Sequence, residues 1–101
     1  MSDPIEQAPP ADLGEAGLQL WARVAGEFEL PRHALSVLEG ACRMADRAQQ
    51  AREIISREGL TTLDNRRNVK QHPAVEIERT SLAALQRSLK CINVDLVTGA
   101  E

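Results

Sequence analysis

The 101-residue chain is short of the residues that usually stabilise a small fold. It has one Trp, one Phe and no Tyr, and alanine supplies much of its apolar fraction. Large aromatics bury the most apolar surface, so a monomer of this composition has a thin core. Small folds offset such a deficit with disulfides, metals or self-association. Two cysteines without a signal peptide argue against disulfides. No run approaches the ~18–20 apolar residues of a membrane span, so a soluble, cytoplasmic protein is expected. Self-association remains. The expectation is one domain that forms a homo-oligomer larger than a dimer.

Catalytic equipment is sparse as well. There is no Gly-rich phosphate loop and no nucleophile elbow. His33 and His72 each fall at an expected helix N-terminus, where the dipole disfavours the imidazolium. Neither has a carboxylate or thiol at motif spacing, and His72 before Pro73 reads as a capping or turn residue. Cys42 and Cys91 fall on inward or semi-inward stripes and are expected as buried, inert thiols. These four residues show neither the Cys nor the His spacings that zinc favours. No catalytic residue, metal or cofactor is expected.

What is present is helical periodicity. Residues 1–11 carry three prolines and read as a disordered tail. Asp12 with Glu15 three positions on forms a capping-box signature. Leu13, Gly17, Leu20, Trp21, Val24 and Phe28 then recur at helical spacing, predicting a first helix from residue 13 to 25 or 27 with Trp21 in the core. Pro31 opens the longest helix, residues 31–58, and Gly59 stops it. One face carries Val37, Ala41, Met44, Ala48, Ala51 and Ile55, a coiled-coil-like stripe of small side chains. The opposite face carries Arg43, Asp46, Arg47, Gln50, Glu53 and Arg57. Glu39 with Arg43, and Glu53 with Arg57, are spaced for i,i+4 ion pairs.

A last helix is predicted from Pro73 to about residue 91. Val75, Leu82, Leu85, Leu89 and Ile92 form one stripe, and Ala74, Ile77, Ser81, Ala84, Ser88 and Cys91 a second. One stripe packs on the long helix and the other is left for a neighbouring subunit. Val75, Ile77, Leu82, Leu85, Leu89 and Ile92 are therefore the candidate oligomer interface. On these boundaries the long helix overhangs the last one by roughly 12 Å. The fold class is all-α: three main helices and a long connector with hairpin character, packed as an oligomer. Residues 12–96 are expected to form the helical oligomerisation domain, and residues 97–101 a short tail.

That connector, residues 59–73, is the most informative stretch. A pair of helices needs only about 2–8 joining residues, and longer ordered loops are usually functional. Here a β-prone run (Leu60 to Leu63), a turn-like Asp64-Asn65, a basic Arg66-Arg67 and a second β-prone piece at Val69 precede His72-Pro73. The chain's net charge of −3 hides an asymmetry that favours this region. Residues 1–31 hold one basic and six acidic side chains, whereas residues 32–90 hold eleven basic and seven acidic. Basic side chains at the tip of an insert can reach phosphates, so Arg66, Arg67 and Lys70 are the candidate DNA contacts. Arg32, Arg43 and Arg47 come next. A helix-turn-helix fits poorly, because its turn is only about three or four residues long.

Leu20-Trp21, Cys42-x₃-Asp46, Glu58-Gly59-Leu60, the basic insert, Lys70-x-His72-Pro73 and Leu89-x-Cys91-Ile92 follow one another in order. That series resembles the small subunits of tailed-phage terminases, over about residues 12–96. The resemblance implies a non-enzymatic packaging component that forms a ring and binds double-stranded viral DNA. It also implies delivery to a large subunit that holds the ATPase and nuclease, in the host cytoplasm. A small helical regulator or protein-interaction module with no nucleic-acid role stays open beside it, given the net acidity.

Overall fold

The structure is a computed structural model describing residues 7–100, with side chains described as far as Ile92. Its elements are α1 (Glu15–Ala25), α2 (Arg32–Glu58), β1 (Thr61–Leu63), β2 (Val69–Gln71) and α3 (Pro73–Ala100). The strands pair antiparallel, so the chain is mostly helical with one small hairpin between α2 and α3. α3 folds back along α2, and α1 lies against the N-terminal half of α2. The result is a rod of 63 × 26 × 16 Å.

The buried face of α2 consists of Ala34, Leu38, Ala41, Cys42, Ala48, Ala51 and Ile55. Most of these positions keep the alternating spacing of a coiled-coil seam. α3 answers with Ala74, Ser81 and Ile92. Most of the larger buried apolar residues collect at one end of the rod. There Leu13, Trp21, Leu30, Leu38 and Ile92 pack together, with Leu20, Val24 and Leu89 against them. At the hairpin end the core shrinks to Ala51, Ile55 and Ala74, with Ile54 and Val75 beside them. Between the clusters the seam is small side chains, flanked by an Arg52–Glu78 ion pair at 3.7 Å. Fully burying a side chain such as Leu38 stabilises by about 1.5–3 kcal/mol, and few residues here do so.

Several expectations are corrected. α3 does not stop near Cys91 but runs to Ala100, since no Pro or Gly interrupts it before Gly99. It therefore has 28 residues against 27 in α2, and the expected overhang is absent. Cys91 is exposed rather than buried, because Ile92 takes the inward position at that turn. Phe28 lies outside α1 and is exposed, and Leu13 is buried from the segment before the helix. Gly14, not Asp12, occupies the N-cap of α1. Among the described residues no helix is long and apolar enough to cross a membrane.

Candidate nucleic-acid interface

The hairpin is fixed by local chemistry at its base and its tip. Gly59 adopts φ 89° and ψ 174°, a region that side chains avoid, and its N–H closes α2 on the Ile55 carbonyl at 2.7 Å. The strands run in the register Thr61↔Gln71, Thr62↔Lys70 and Leu63↔Val69. The His72 N–H donates to the Leu60 carbonyl at 2.8 Å and continues the ladder to the foot of α3. His72 Nδ1 accepts the Ala74 N–H at 3.0 Å, so the ring caps α3 as the sequence suggests. With Nδ1 accepting, the proton sits on Nε2 and points to Glu58 Oε1, 2.7 Å away. One imidazole thus ties the end of α2 to the start of α3.

At the tip, Asp64 organises the turn. Its Oδ1 accepts the backbone N–H groups of Asn68 and Arg66, each at 2.8 Å. These bonds, the Asn68 N–H foremost, hold the Asp64 carboxyl below the usual carboxylate range. The Asp64 carbonyl accepts the Arg67 N–H at 2.9 Å, and Arg67 sits at φ 67°, the left-handed conformation that closes the turn. The consequence is electrostatic. The turn's one acid is held ionised by backbone donors and makes no direct ion pair with the three cations near it, so the hairpin keeps an excess of positive charge. Arg66, Arg67 and Lys70 are exposed, and none of them has an ion-pair partner among the described residues.

The other basic candidates lie elsewhere. Arg43 is held by Asp12 at 2.9 Å and Glu39 at 2.8 Å. The expected Glu39–Arg43 pair forms, whereas among the described residues Glu53 and Arg57 do not pair. The Asp12 and Glu39 carboxylates push the Arg43 pKa up while Arg43 draws Asp12 down. Arg47 is exposed on a shallow depression that Asp12, Arg43 and Asp46 also line. Arg32 is exposed in the first turn of α2, ~40 Å along the helix from its hairpin end. The six cations thus form no single surface. The hairpin brings three together.

The six candidate interface residues divide too. Ile92 is in the core, Leu89 packs on the same cluster, and Val75 packs on the smaller one. Leu85 is half-buried, whereas Ile77 and Leu82 are exposed.

Two residues take roles that the sequence did not reveal. Asp46 reaches from α2 to the start of α1, where Oδ2 accepts the Gly14 N–H and Oδ1 the Gly17 N–H, each at 2.7 Å. Gly17 permits this approach, because a Cβ there would lie 2.6 Å from Asp46 Oδ2 and 2.8 Å from the Cys42 carbonyl oxygen. Asp46 therefore caps α1 from another helix. Beside it, burial pushes the Cys42 thiol up to about 11, reinforced by Asp46 and Glu39, so the thiol stays protonated and unreactive.

Gln7 is the second. Its Nε2 donates to the carbonyls of Ala25 at 2.8 Å and Phe28 at 3.0 Å, and its Oε1 accepts the Leu30 N–H at 2.8 Å. The Trp21 indole N–H donates to the Gln7 carbonyl at 2.9 Å. Gln7, from the expected tail, is thus a clasp on the α1–α2 turn. Residues 1–6 lie outside the described residues.

No curated protein and no solved structure matches the chain. A family model described as phage terminase, small subunit, matches residues 17–92. The matched span takes in most of α1, all of α2, the hairpin and α3 as far as Ile92, and the chain belongs to that family of phage terminase small subunits.

Proposed function

We propose that the chain is the non-catalytic subunit that binds double-stranded viral DNA as a homo-oligomeric ring and delivers it to the large ATPase–nuclease subunit. Family membership supports a role in phage DNA packaging. The observation that carries the finer reading is the hairpin tip. Three exposed cations stand on a turn whose own carboxylate is engaged by backbone N–H groups. Such cations gain affinity by releasing counterions from DNA, without reading sequence. The chain as a whole carries −3, so one copy binds weakly and a ring multiplies the contact by avidity. Arg32, Arg43 and Arg47 lie off the hairpin and are secondary contacts in this reading.

The test is DNA affinity across a salt series, together with stimulation of the cognate large subunit's ATPase. Replacing Arg66, Arg67 and Lys70 together with alanine should flatten the salt slope by about 0.9 for every phosphate that each copy no longer neutralises. Stimulation should fall in parallel. A triple variant that binds and stimulates as wild type does would remove the hairpin from this role. A wild-type protein that neither binds DNA nor alters the motor would end the packaging reading.

A further inference from the structure

We infer that copies of this chain associate head to tail, with Phe28 of one copy seated in the hairpin groove of the next. This rests on the ring reading above and names the surfaces that make the ring. Phe28, the chain's only Phe, is 47% exposed in the turn between α1 and α2 and is flanked by exposed Glu27 and Glu29. Its backbone is fixed on both sides. The Phe28 N–H donates to the Val24 carbonyl at 3.0 Å, and its own carbonyl accepts from Gln7. An aromatic held rigidly in solvent is the kind of residue that anchors an interface, because little ordering is left to do on binding.

The complementary surface lies at the other end of the rod. Leu60 is 60% and Val69 70% exposed, and with Val75 they form the apolar part of a shallow groove between hairpin and α3. Lys70 stands on its lining, whereas Arg66 and Arg67 lie outside it in the turn. An aromatic between two carboxylates thus matches an apolar groove beside an ammonium group. The two surfaces cannot meet within one chain, since α2 separates them by ~40 Å. Covering both takes a second and then a further copy. Contacts between two different patches generate rings when the rotation closes. Lys70 is then shared between DNA and Glu27 or Glu29 of the neighbour, and Arg66 and Arg67 carry most of the hairpin's phosphate contact.

The test uses full-length chains altered on one surface at a time, Phe28→Asp and Val69→Asp, sized by light scattering after gel filtration. Each change should lower the association constant about 30-fold, as for a central interface residue. At micromolar concentration each variant should run as a monomer where wild type runs larger than a dimer. Mixed one to one they should form dimers that grow no further, because each supplies the intact surface that the other lacks. Circular dichroism checks that both fold, and Val69→Ser replaces Val69→Asp should the latter unfold. Variants that assemble like wild type place the interface elsewhere and leave the ring reading standing. A mixture that stays monomeric rules out head-to-tail pairing. A monomeric wild type sinks both the pairing and the ring.

Discussion

At the N-terminal end of α2 the chain is held by side chains that reach across from distant positions. At the C-terminal end the hairpin tip is held by neighbours a few residues apart, and its base by the His72–Glu58 contact. Asp46 caps α1 from 29 and 32 residues away, and Gln7 bridges to Phe28 and Leu30 over 21 and 23. Asp64 binds only Arg66 and Asn68, two and four positions on. The first arrangement encloses the larger core cluster, while the second presents an exposed basic tip above a small one. Distant bonds lock an element in place, whereas local bonds shape one that faces a partner. Stability should therefore concentrate at the α1 end and partner binding at the hairpin.

The strongest way to break that contrast is Asp46→Ala. Two N–H groups at the start of α1 lose a charged acceptor, and the loss should be about 2–3 kcal/mol in urea denaturation. Trp21 fluorescence reports α1 directly and should shift with it. A loss below about 0.5 kcal/mol, the ordinary scale for a surface change, would show that the cap does not hold the helix.

Gly17→Ala probes the same contact from the other side. Alanine favours a helix over glycine by about 1 kcal/mol, so the change would stabilise an open site. Here the added methyl meets a backbone carbonyl at 2.8 Å, which cannot swing aside. Overpacking of this kind costs about 1–3 kcal/mol, and net destabilisation is expected. A gain in stability would mean that α1 sits further from α2 than described.

At the hairpin end the matching changes are Gly59→Ala and His72→Ala. The first places a side chain in a backbone region that costs about 1–3 kcal/mol. The second removes a helix cap worth about 1 kcal/mol and the link to Glu58. The core beneath is small, so both should act locally. Hydrogen exchange should quicken in β1, β2 and the first turn of α3 while α1 keeps its protection. Equal loosening at both ends would erase the distinction.

The same difference in range explains what could be read from the sequence. Gly59 as a stop, Asp64 at a turn, the β-prone flanks and the His72-Pro73 helix start act over a few residues, and the hairpin follows from them. The α1 end carries a misleading local signature. Asp12 and Glu15 have capping-box spacing, yet Asp12 pairs with Arg43, and the cap comes from Asp46 on what reads as the polar face of α2. Periodicity assigns faces but not the partner of a polar side chain. Phe28 is misassigned by its spacing for a related reason, since it continues the apolar stripe although the helix ends at Ala25. The basic tip was legible because charge and turn chemistry coincide there. Its grouping apart from Arg32, Arg43 and Arg47 needed the length of α2 in three dimensions.

The smallest expected effect is a titration, and it sharpens the contrast at its local end. Asp64 is half-buried and bonds only within its own turn, so it adds little to global stability. Its folded pKa lies below the ordinary value, because the Asn68 and Arg66 N–H groups favour the carboxylate. The sign follows. A depressed carboxyl contributes stability above its unfolded pKa of about 3.9 and loses it as the pH falls through the folded pKa. The turn should therefore hold unchanged from neutral pH to about 4 and open only below that. In amide NMR spectra the Arg66 and Asn68 signals should move together in that acid window. Asp64→Ala should abolish the step and leave the urea midpoint nearly unchanged. If those two amides moved instead with an ordinary carboxylate midpoint, Asp64 would not be holding the turn, and the arginines would stand on a looser support.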